Sequence, residues 1–133
     1  MALSFGQMVA EARANVPGIT AEEAQRRVQQ NARTLLIDVQ DANDVAACGL
    51  IPGAAPISLG MLAIRADQEL PEPFRDPRLQ DRSRPVIVTC GAGGQAALGA
   101  YQLRQMGFTN VAYIDGGMQA WKAAGLPTEP FQA

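Results

Sequence analysis

The chain has 133 residues, 47% hydrophobic and 18% charged, the composition of one compact domain able to bury roughly two-thirds of its unfolded surface without disulfides or a metal. Its 11 Lys and Arg against 13 Asp and Glu give a net charge of −2. With no basic run or aromatic-rich basic patch, nucleic acid and an anionic membrane surface are excluded as expected partners.

Residues 1–18 carry Phe5, Met8, Val9, Ala12 and Val16 at helical spacing, which predicts an N-terminal amphipathic helix docked on its own domain in preference to an oligomer contact. The same segment lacks the basic and apolar regions of a secretory signal, and no apolar run approaches the length of a membrane span, so a cytoplasmic protein is expected. Gly18-Ile19-Thr20 is a weak strand candidate. Thr20 to Glu23 spells a capping box for a helix running to about Gln30.

Thr34 to Val39 is a clear strand, Ala55 to Ser58 a weaker one. Residues 65–84 form a proline-rich, charged connection, predicted to be a surface loop that overhangs something. The strand Val86 to Cys90 follows, then a helix from Gln95 to Met106 with Ala96, Ala100 and Leu103 on one face and Gly107 as its C-cap. Val111 to Ile114 is the fifth strand. Short β-branched strands alternating with helices predict an α/β domain whose parallel sheet is covered on both faces. Trp121, Phe108 and Tyr113 are assigned to the core, and residues 128–133 form a C-terminal tail.

The absence of histidine excludes a Cys–His nucleophilic pair and any His-ligated metal centre within this chain. Its two cysteines, Cys48 and Cys90, are far apart in sequence and form no CxxC. Cys90 ends an apolar strand and opens the segment TCGAGGQA at 89–96. In a parallel α/β sheet, ligands bind beyond the carboxyl ends of the strands. Glycines at 91, 93 and 94 allow positive φ and an inward turn of backbone N–H groups, and the following helix adds the positive end of its dipole. Such a cradle favours an anion, here a thiolate. The competing reading is an ordinary buried thiol beside a βα turn. A Walker loop is excluded because no Gly-Lys-Ser/Thr follows, and a dinucleotide fingerprint because the glycine spacing differs.

Four segments together resemble the rhodanese-like sulfurtransferases: Leu35 to Asp41, Gly49 to Ile57 with Leu59, Val86 to Ala97, and Met106 through Asp115-Gly116-Gly117 and Ala120-Trp121 to Pro127. They cover residues 19–127 in order. The resemblance implies a single three-layer α/β/α domain with about five parallel strands. It implies a catalytic Cys90 whose thiolate takes the outer sulfur of thiosulfate, a thiosulfonate or a persulfide. The resulting persulfide is held by the amides of Gly91, Ala92, Gly93, Gly94, Gln95 and Ala96 and passes its sulfur to a thiol, cyanide or a protein acceptor. No metal or organic cofactor is implied, and a monomer or homodimer is expected. Asp38 is expected to support the site by hydrogen bonding. Arg65 is a candidate substrate-binding cation, weighed against a solvated surface arginine.

Related phosphatases on this scaffold carry an arginine six positions after the cysteine, where this chain has Ala96. The chain also departs from the common sulfurtransferase pattern at three positions. Gln95 stands where many members have arginine, Gln40 where they read Asp-Val-Arg, and Leu50 where they often have histidine. Two lost positive charges imply weaker binding of a doubly charged donor. Arg104 cannot replace residue 95, lying about 13 Å further along the helix. Two alternatives follow: a rhodanese-fold binding module with weak turnover, and a thiol redox sensor in which Cys48 resolves Cys90.

Overall fold

The computed structural model describes residues 2–133. Five strands, β1 (Gly18–Ile19), β2 (Leu35–Asp38), β3 (Ala55–Pro56), β4 (Val86–Thr89) and β5 (Val111–Ile114), form one sheet in the order β1-β5-β4-β2-β3. Every pairing is parallel. All four residues of β2, β4 and β5 are buried, as expected for central strands with helices on both faces.

Alternation along the strands divides the core into two layers. Leu35, Ile37, Val86, Val88, Val111 and Tyr113 face one side, where they join residues of α1 (Phe5–Asn15), α4 (Leu59–Ala66) and α5 (Gly94–Gln105). Leu36, Ile87, Ala112 and Ile114 face the other, with Ala21 and Ala24 of α2 (Ala21–Gln30) and Met118 and Trp121 of α6 (Gly117–Ala123). Trp121, Phe108 and Tyr113 are buried as expected. The short α3 (Ala42–Cys48) follows β2 and buries Val45.

The N-terminal helix packs on its own domain through Val9 and Ala12, whereas Phe5 and Met8, counted in its apolar stripe, are largely exposed. Its start is a full capping box: Ser4 Oγ accepts from the Gln7 amide, and the Gln7 side chain accepts from the Ser4 amide. At α2 only half of the expected box forms. Thr20 Oγ1 accepts from the Glu23 amide at 3.0 Å, but the Glu23 carboxylate turns to Arg26 and Arg27 instead of back to the cap. These hydrogen bonds, Arg26 first, hold its carboxyl down at about 2.

The connection after α4 is more ordered than a loop. It contains 3-10 turns at Glu72–Phe74 and Pro77–Leu79, and Leu79 is fully buried. Arg82 anchors it: the guanidinium donates to the carbonyls of Ala66 (2.7 Å) and Leu79 (2.8 Å) and lies 4.7 Å from the centre of the Phe108 ring. The tail is tied down as well. Leu50 and Glu129 exchange two backbone hydrogen bonds of 2.9 and 2.7 Å, and Trp121 Nε1 donates to the Pro127 carbonyl. Among the described residues no helix is long and apolar enough to cross a membrane.

Candidate active site

Chain connections from β2 lead outward to β3, and those from β4 lead the opposite way to β5, so the topology reverses between β2 and β4. That reversal opens a crevice at the carboxyl ends of the two strands. Asp38 and Thr89 are register partners at its floor, and Cys90 is the next residue.

The chain leaves the sheet at Cys90 because the Cys90 carbonyl accepts from the amide of Met118 (2.7 Å) and the Gly91 carbonyl from that of Gln119 (3.1 Å). The loop is thereby fastened to the first turn of α6. The Cys90 side chain, 2% exposed, turns inward, and its Sγ accepts from the amides of Gly93 (3.0 Å) and Ala96 (3.2 Å). Ala96 lies in the first turn of the 12-residue α5, so the sulfur also sits at the positive end of that helix.

Only Gly93 of the three loop glycines has a positive φ, +104°; Gly91 and Gly94 do not. A Cβ on Gly94 would press within 3.2 Å of the Phe5 ring, whereas one on Gly91 would make only an ordinary contact with Gln40 Oε1 at 3.5 Å. Two further glycines complete the site. Gly116 and Gly117 have φ of +80° and +55°, and a Cβ on Gly117 would overlap the Cys90 carbonyl. The adjacent glycines at 116–117 are the sequence signal for this second support, which reading the cysteine loop alone misses.

A cavity of about 260 Å³ opens at the loop, lined by Phe5, Gln40, Asp44, Cys90, Gly91, Ala92, Gly94 and Gln95. Gly93 and Ala96 lie buried beneath it, supplying the two amides on sulfur. No Lys or Arg lines this cavity. Arg65 lines a neighbouring cavity of about 410 Å³ with Asp76, Arg78 and Phe131, and the two cavities share Gln40. Its Nη1 donates to the Phe74 carbonyl at 2.9 Å.

Asp38 is fully buried and accepts from the Gln40 amide (3.0 Å) and from Gln40 Nε2 (3.2 Å to each oxygen). Burial pushes its pKa up, and the Gln40 hydrogen bonds oppose that shift only in part. Gln40 thus holds the buried carboxylate and lines the same cavity as Gly91. Leu50 is buried and does not line the Cys90 cavity. Both cysteines are free thiols; Cys48 packs against the α2–α6 layer and Cys90 belongs to the α1–α4–α5 layer. Among the described residues no group of three or more His, Cys, Asp or Glu side chains could hold a metal ion.

Solved structures of similar chains share this arrangement of elements. A protein of unknown function from Rhodopseudomonas palustris, described as a possible tyrosine phosphatase, is 28% identical, with 97% of this chain and 96% of that one covered at a TM-score of 0.89. The polysulfide-sulfur transferase homodimer of Wolinella succinogenes is 29% identical, with 93% and 85% covered at 0.72. A rhodanese-like domain from Anabaena is 28% identical, with 86% and 80% covered at 0.70. Residues 20–124, from the cap of α2 to the end of α6, match the model of the rhodanese-like domain family, and with the sheet order and the cysteine loop in place the chain belongs to that family.

Proposed function

We propose that the protein is a sulfurtransferase whose nucleophile is Cys90. The observation that carries this reading is the pair of amide donors from Gly93 and Ala96 converging on Cys90 Sγ at 3.0 and 3.2 Å. With no histidine in the chain, two backbone amides and the N-terminus of α5 face the sulfur where a side-chain base would otherwise be needed. The thiolate attacks the outer sulfur of a sulfane donor. An Sγ–S bond forms, the donor's S–S bond breaks, and its electron pair leaves with the sulfite, sulfinate or thiolate product. The Cys90 persulfide remains anionic, so the same amides and the rest of the 91–96 loop hold it until an acceptor thiol attacks the outer sulfur and the electron pair returns to Cys90. Gln95 and Ala92 border the donor, and Asp38 supports the loop through Gln40.

The likeness to a possible tyrosine phosphatase does not favour phosphate-ester chemistry here. Ala96 occupies the sixth position after the cysteine and contributes only its amide, so no guanidinium clamps a phosphate dianion. A disulfide between Cys48 and Cys90 is disfavoured by their packing in different layers.

Intact-mass measurement after incubation with a thiosulfonate tests the proposal. Wild type and Cys48→Ser are expected to gain one sulfur, and Cys90→Ser none. Failure of wild type to gain sulfur, or dependence on Cys48, would overturn it.

A further inference from the structure

The wall of the Cys90 cavity includes one large apolar side chain, and it comes from outside the residues matched by the family model. Phe5 is 57% exposed although the Ser4–Gln7 capping box fixes the turn that bears it. Its ring lies against Gly94, where a Cβ would come within 3.2 Å. An ordered ring left bare beside a nucleophile offers an apolar surface to whatever enters the cavity.

Charge on the remaining walls points the same way. Gln40 and Gln95 are neutral, Asp44 is a carboxylate, and no cation lines the cavity. A doubly charged donor would meet one like charge and no opposite one, whereas the amides of Gly93 and Ala96 are already engaged on sulfur.

Resting on the sulfurtransferase reading above, we infer that Phe5 is a specificity-determining residue and that the donor is an organic sulfane compound, a persulfide or thiosulfonate with at most one negative charge, whose carbon group lies on the Phe5 ring. For a persulfide the step is RS–SH plus Cys90 thiolate giving Cys90–S–SH and RS⁻. For a thiosulfonate, RSO₂–S⁻ plus Cys90 thiolate gives Cys90–S–S⁻ and RSO₂⁻. Each balances without an oxidant or reductant.

Three anionic probes separate charge from carbon group: thiosulfate, methanethiosulfonate and benzenethiosulfonate. Initial rates of Cys90 persulfide formation by intact mass are expected to give a KM that falls in that order. Phe5→Ala is expected to raise KM for benzenethiosulfonate about tenfold, which corresponds to ~1.4 kcal/mol, and to change it less than about twofold for the other two. Phe5→Leu, which keeps apolar bulk without the ring, should fall between. Circular dichroism should be unchanged in both variants because the side chain is exposed. A uniform shift across the probes, no shift, or thiosulfate giving the lowest KM would overturn the inference. If no probe labels Cys90, the sulfurtransferase reading fails separately. Binding of unreactive benzenesulfonate, followed by NMR, then decides the Phe5 surface: Phe5-dependent binding supports it, and equal or absent binding in wild type and Phe5→Ala overturns it.

Discussion

The amide of Met118 donates to the carbonyl of Cys90 across 2.7 Å, so the loop that holds the thiol is braced by the start of α6 as well as by its own helix. The brace requires Gly117. Its φ is +55°, and an added Cβ would fall on the Cys90 carbonyl. Gly117→Ala is therefore expected to destabilise the protein by about 2–4 kcal/mol, combining left-handed backbone strain with overpacking, and to slow sulfur uptake at Cys90. Gly117→Asn should recover little, since Asn relieves the strain but not the overlap. Urea unfolding of both variants checks this; wild-type stability in Gly117→Ala would show that the loop is not held from this side.

Asp38 supplies a pH dependence whose sign follows from its burial. Its folded pKa lies above the ordinary 3.8, so the fold favours the protonated acid. That contribution is full below the unfolded value and is lost as pH rises through the folded one. Asp38→Asn is neutral throughout and can still accept from the Gln40 amide. Its stability relative to wild type should therefore increase from below pH 3.8 toward neutrality and then level off. Urea midpoints across that range test it, and a difference that falls with pH would contradict the assigned burial effect.

Much of this architecture was legible from local pattern. The apolar runs at 35–38, 86–89 and 111–114 are strands, and the Ala96, Ala100 and Leu103 face is buried, because strands covered on both faces read as short continuous apolar runs and a helix against a sheet as one apolar stripe. What escaped was long-range. Leu50 meets Glu129 across the chain, and Phe5 stands at the cysteine cavity; neither leaves a periodic trace. Of the glycines at 91, 93 and 94 that allow positive φ, only Gly93 takes it, and Gly94 is instead crowded by the ring of Phe5. Cys90 was identifiable because a thiol at a central strand end followed by glycines is a local signal, while the position of Arg65 depends on the folded path of the connection.

That connection yields its own expectation. Arg82 donates to the carbonyls of Ala66 and Leu79 and stacks over Phe108, bonds that close a proline-rich segment also held by Gln80 and the Asp76 amide on the Arg65 carbonyl. Arg82→Ala should cost about 2–4 kcal/mol. Arg82→Lys should recover only part of this, because an ammonium cannot span both carbonyls and lie flat on the ring. Thermal unfolding of the two variants distinguishes this anchor from an ordinary surface arginine, whose loss would fall within about 0.5 kcal/mol.

The last expectation concerns Gln95, an exposed side chain lining the Cys90 cavity. A neutral amide can hydrogen-bond a donor but does not offset its charge. A unit positive charge about 5 Å from a unit anion is worth ~3 kcal/mol at an effective dielectric of about 20. Solvent at this open position should reduce the observed effect to about 1 kcal/mol, or about fivefold in KM. Gln95→Arg should therefore lower KM for thiosulfate more than for singly charged methanethiosulfonate, since the second charge enlarges the gain. The gap between the two donors should shrink as salt screens the added guanidinium. Steady-state kinetics at low and high ionic strength check both parts. An equal gain for both donors would mean that residue 95 acts on the loop and not on the charge of the donor, and no gain for either would mean that its side chain points away from the bound anion.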